Sequence, residues 1–153
     1  MSDSSVDRRR LIFPGLAGLY EKFSPSSYSF MRFATGAVLL PHGIQKIFFK
    51  SVDFYAGFIG KAGLPFPTFL AYCTFFSESV AALCLVIGLF TRAAALIVWI
   101  QMTVIIIFFQ WQYGYFWTDR GFEYALLWWL LCLAIIFRGG GRYSVDHHMK
   151  KEF

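Results

Sequence analysis

PTFLAYCTFFSESVAALCLVIGLF, residues 67–90, contains a single charged side chain, Glu78. A helix needs about 20 residues to cross roughly 30 Å of hydrocarbon, so this stretch predicts a membrane span with one carboxylate near its middle. An ionised carboxylate at that depth requires a partner or takes up a proton.

Three more apolar blocks flank it. AAALIVWIQMTVIIIFFQWQYGYF, residues 93–116, is equally long and carries Gln101 midway. FEYALLWWLLCLAIIF, residues 122–137, is shorter and spans if its neighbours extend it to 121–138. YSFMRFATGAVLLPHGIQKIFF, residues 28–49, holds Arg32, His42 and Lys46, each cation a cost to insertion. None of the blocks shows the ten-residue alternation of barrel strands, and helices satisfy their own backbone hydrogen bonds in lipid. The expected fold is therefore all-α, an integral membrane four-helix bundle.

Composition agrees. The chain has 153 residues, 58% hydrophobic, 21% aromatic and 15% charged. A soluble domain carries about 25% charged residues, usually in amphipathic stripes and not between unbroken apolar blocks. The net charge of +5 suits a basic membrane protein better than a nucleic-acid binder. Ten of the fourteen Lys and Arg fall before or at the start of the first span, in the turn at Arg92 or after the fourth span. Lys46, Lys50, Lys61 and Arg120 fall in the other two loops. That asymmetry predicts both termini in the cytoplasm.

The domain plan is an N-terminal cytoplasmic segment (1–27), a four-span domain (28–138) and a basic tail (139–153). MSDSSVDRRR is polar and precedes no small-residue cleavage site, so no cleavable signal is expected. FPGLAGLYEKF reads as a short interfacial helix ended by Ser24-Pro25. DFYAGFIGKAGLPFP reads as an elbow or cover on the outer side. Cys73, Cys84 and Cys132 form no close pair and read as small packing residues. His147 and His148 lack metal-ligand spacing, so no metal site is expected. Gly139-Gly140-Gly141 ends the fourth helix, and its amides are also open to an anion.

The cations of the first span share a face. At about 100° per residue, Arg32, Thr35, Leu39, His42 and Lys46 fall within a sector of roughly 80°. Lys46 lies about 21 Å further out than Arg32. Counting residues from the span ends places Glu78 and Gln101 at the depth of His42, and Glu123 at the depth of Lys46. Arg32, His42, Lys46, Glu78, Gln101 and Glu123 are thus the ligand-binding or proton-relay candidates. Cys73, Ser77, Ala81, Cys84 and Gly88 form a small-residue stripe that lets another helix approach.

The order of Arg32, HGIQK (42–46), GLPFP (63–67), Glu78, GLFTR (88–92), Glu123 and GGGRYSVD (139–146) resembles the DoxX family of small four-helix membrane proteins. The resemblance implies a bacterial inner-membrane protein. Some relatives are subunits of thiosulfate:quinone oxidoreductases, others belong to oxidative-stress complexes, and many have no assigned activity. It thereby implies a redox-associated subunit with quinone as ligand, a membrane or peripheral redox partner, and no catalytic domain of its own. Two readings from other classes stand beside it. One is a solute or proton transporter, which at this size requires a homo-oligomer. The other is an assembly subunit whose buried charges fix its geometry.

Overall fold

The computed structural model describes residues 7–149; residues 1–6, and residues 150–153 with Lys150 and Lys151, lie outside the described residues. Among the described residues every regular element is helical. Helix α1 is Ala17–Phe48 and α2 is Val52–Lys61. Two further helices, α3 (Pro67–Ile87) and α4 (Thr91–Tyr113), are long and apolar enough to cross a membrane. Helix α5 is Glu123–Arg138, and a short α6, Val145–Met149, closes the fold.

The first helix differs from expectation. Ser24-Pro25 does not end an interfacial segment; α1 runs through Pro25 and Pro41 without a break. Proline removes one helical hydrogen bond, and here the hydroxyls of Ser26 and Ser27 donate to the carbonyls of Phe23 and Ser24, holding that turn together. Upstream, Arg8 grips Glu21 through two hydrogen bonds of 3.0 and 2.9 Å. Chiefly by that hydrogen bonding, the guanidinium holds the Glu21 carboxyl below the usual carboxylate range. The pair's contribution is complete above that range and is lost as pH falls below it, through the lowered value of the folded carboxyl.

Helix α5 is also shorter than its predicted bounds. It starts at Glu123 and stops at Arg138, where Gly139 turns the chain at φ 78°. Its 16 residues rise about 24 Å.

Both long helices contain a π-turn. In α3 it covers Ser77–Ala81, with the Ala82 N–H bonded to the Ser77 carbonyl five residues back. In α4 it covers Ile105–Gln110, closed from Trp111 N–H to Ile106. Such single turns insert one extra residue and re-aim the side chains that follow.

Helix α1 packs along α3, α3 along α4, α4 along α5, and α2 covers the first half of α3. The core is built largely from small residues, including Ala81, Ala82, Ala94, Ala95 and Ala125. Helix α1 approaches α3 closely. A Cβ on Gly36 would sit 2.5 Å from the Ala82 carbonyl, and one on Gly43 would strike the Glu78 carbonyl. The outward faces carry large apolar side chains such as Leu83, Ile100, Ile107, Leu127 and Leu130, each about half exposed. Indole N–H groups tie α5 inward, from Trp128 to the Thr35 carbonyl (3.1 Å) and from Trp129 to Thr103 Oγ1 (2.9 Å).

Candidate functional site

Four of the six candidate residues fall in two clusters, one around Arg32 at the middle of α1 and one around Lys46 near its C-terminal end. The Lys46 cluster consists of Lys46, Glu78 and Gln101. Lys46 Nζ lies 2.5 Å from Glu78 Oε1, and Gln101 Nε2 donates to the same oxygen at 2.6 Å. Glu78 stands in the π-turn of α3, against the backbone of Gly43. The side chains of Lys46 and Glu78 are only 11% and 5% exposed, so the charges neutralise each other away from bulk solvent. The Lys46 ammonium also lies 5.0 Å from the centre of the Tyr55 ring.

Hydrogen-bonding capacity is left over. Glu78 Oε2, Gln101 Oε1 and Ser77 Oγ are buried and have no partner among the described residues. Buried polar atoms are normally satisfied, so a cluster of such atoms marks a place for a ligand or water.

These groups adjoin a cavity of 580 Å³ between α2, α3 and α4. Lys46, Ser77 and Gln101 line it, while its remaining wall is mainly apolar: Phe54 and Phe58 from α2, Leu70 from α3, and Ile97, Val104 and Phe109 from α4. An apolar slot with a few polar groups on its wall is the usual design of a small-molecule site.

Two candidates stand apart from this cluster. His42 is exposed. Gly36 and Gly43 centre the buried face of α1, and His42 is rotated about 100° from Gly43, to the edge of that face. Glu123 does not meet Lys46 either; its carboxylate accepts from the Trp117 backbone N–H at 3.2 Å, serving the loop before α5. Sequence reasoning missed Gly43, Tyr55 and Ser77 as parts of the site. Gly43 lies inside HGIQK, where a glycine between apolar turns signals close backbone approach.

The second cluster is centred on Arg32, which is 2% exposed. Its partners are carbonyls rather than carboxylates. Nη1 donates to Leu85 and Val86, Nε to Gly140 at 3.1 Å and Nη2 to Tyr143 at 2.7 Å. Helix α3 ends at Gly88, where the N–H groups of Gly88 and Leu89 both bond to Cys84. The carbonyls of Leu85 and Val86 face outward there, and the arginine caps the negative end of the helix dipole. The glycine run after α5 offers carbonyls to a cation: Gly140 serves Arg32, and Gly139 accepts from the Tyr28 hydroxyl at 2.5 Å.

Asp146 completes this clasp. Its two carboxylate oxygens accept from the N–H groups of Phe90 (2.7 Å) and Thr91 (2.9 Å), capping α4, and its own N–H bonds to the Gly88 carbonyl. Truncating Asp146 to Ala removes both cap bonds and is expected to cost about 1–2 kcal/mol. A shift in the thermal midpoint of the detergent-solubilised variant reads that loss; an unchanged midpoint rejects the cap as a stabilising contact.

The DoxX family model matches residues 28–111, which include α2, α3 and Lys46, Glu78 and Gln101. An uncharacterized protein of Haemophilus influenzae is 30% identical over 136 residues, covering 86% of this chain and 97% of the relative. No solved structure matches. The match to more than half of the chain, together with a relative aligned along nearly its whole length, shows that this chain belongs to the DoxX family.

Proposed function

We propose that this DoxX protein is a four-span membrane protein that binds a quinone in the Lys46–Glu78–Gln101 cavity and serves as a redox-associated module. The carrying observation is the 580 Å³ apolar cavity with a buried, incompletely satisfied ion pair beside it. A quinone needs a slot for its tail and a donor at a ring oxygen. The cavity wall supplies the first and the Lys46 ammonium the second, with Glu78 holding the ammonium in place. Helices α1 and α5 span beside α3 and α4, and the excess of Lys and Arg at the terminal end sets both termini in the cytoplasm of a bacterium's inner membrane. The Arg32–Asp146 clasp is architectural in this reading, since main-chain groups consume its hydrogen-bonding capacity.

The test is extraction and mass spectrometry of protein purified into lipid nanodiscs. Wild type is expected to retain quinone near one molecule per chain, and Glu78→Gln and Lys46→Met are expected to lose most of it while remaining folded. Bulk lipid alone in all three preparations rejects the site.

A further inference from the structure

We propose that the cavity selects the hydroquinone over the quinone, with Gln101 as the acceptor that discriminates between them. The inference rests on the quinone-site reading above and concerns which redox form is held. Lys46 and Gln101 both converge on Glu78 Oε1. A carboxylate accepts hydrogen bonds from both, so the Gln101 amide must present its nitrogen to Glu78 and turn its oxygen away. That oxygen is buried and unpartnered, and Gln101 lines the cavity. An amide oxygen accepts and never donates, so a ligand bonded to it must carry a hydrogen.

The two ligand forms differ in that respect. A quinone head has two carbonyl acceptors; one takes a hydrogen bond from Lys46, and Gln101 Oε1 stays unpartnered. A hydroquinone hydroxyl donates to Gln101 Oε1 while its oxygen accepts from the Lys46 ammonium. A site built to bond a hydroxyl discriminates strongly against the analogue that lacks one. The expected preference is at least about tenfold in Kd. By linkage, each factor of ten raises the midpoint potential of the bound two-electron couple by about 30 mV.

Binding of a decyl-substituted benzoquinone and of its hydroquinone, the latter under argon, is to be titrated into quinone-free nanodiscs by tryptophan quenching. The expected result is hydroquinone binding about tenfold or more tighter in wild type, with the ratio falling toward one in Gln101→Met through weaker hydroquinone binding. Equal affinities, or tighter quinone, in wild type overturn the selectivity and leave the quinone site standing. Binding of neither form overturns both. The wild-type ratio decides the matter even if Gln101→Met does not fold.

Discussion

Replacing Arg32 with Met is expected to destabilise the protein by about 4 kcal/mol, a large share of the stability of most folds. The guanidinium donates to four backbone carbonyls, those of Leu85, Val86, Gly140 and Tyr143. Methionine fills much of the volume and supplies none of the donors. A buried carbonyl left without a partner costs on the order of 1–3 kcal/mol, and not all four can recover one by shifting. Arg32→Lys is expected to recover only part of the loss, because one ammonium on a flexible stem cannot serve oxygens arranged around a planar fork. Denaturant unfolding in mixed micelles measures both; an Arg32→Met variant within about 1 kcal/mol of wild type sinks the clasp as a source of stability.

Glu78→Leu is expected to cost about 3–5 kcal/mol, and adding Lys46→Met is expected to return most of it. Removing the carboxylate alone leaves the Lys46 ammonium buried and Gln101 Nε2 without its acceptor. Removing both charges leaves an apolar contact of similar volume, and buried pairs replaced in that way are often neutral in stability. Lys46→Met alone strands the carboxylate and falls between the two. A double-mutant cycle on unfolding free energies gives the coupling. Additive effects reject the ion pair, whereas strong coupling with loss of bound quinone in the double variant separates the pair's structural part from its ligand-binding part.

The helical class, the two long apolar helices and the family were legible in the chain, because unbroken apolar blocks admit few other solutions. The partners of the charged residues were only partly legible. Depth counted from Cα positions set Lys46 against Glu123 and His42 against Glu78. Side chains on a helix lean toward its N-terminus, so the long Lys46 stem reaches back by about one turn and takes the partner assigned to His42. The small-residue stripe on α3 holds for Ser77, Ala81 and Gly88, which are buried, and fails for Cys73, which is exposed. The π-turn beginning at Ser77 adds a residue and breaks the 3.6 period on which that stripe was drawn, so Cys73, before the turn, lies out of phase with the residues in and after it. Pro25 misled for a related reason: its missing N–H is visible in sequence, but the serine hydroxyls that hold its turn together become meaningful only once the helix is formed.

The manner in which Arg32 is held has an evolutionary consequence. Every oxygen it contacts belongs to the main chain, and any amino acid at positions 85, 86, 140 or 143 presents a carbonyl. At 85, 86 and 143 its partners can therefore change identity and keep the bonded atom, with no compensating substitution needed, whereas at Gly140 a Cβ would sit 2.6 Å from Ser144 Oγ and space alone holds the glycine. Across homologues such an arginine is expected to stay fixed while those partners drift, its position covarying with none of them. The contact that ties the two ends of the fold together is thus hidden from methods that infer proximity from paired change.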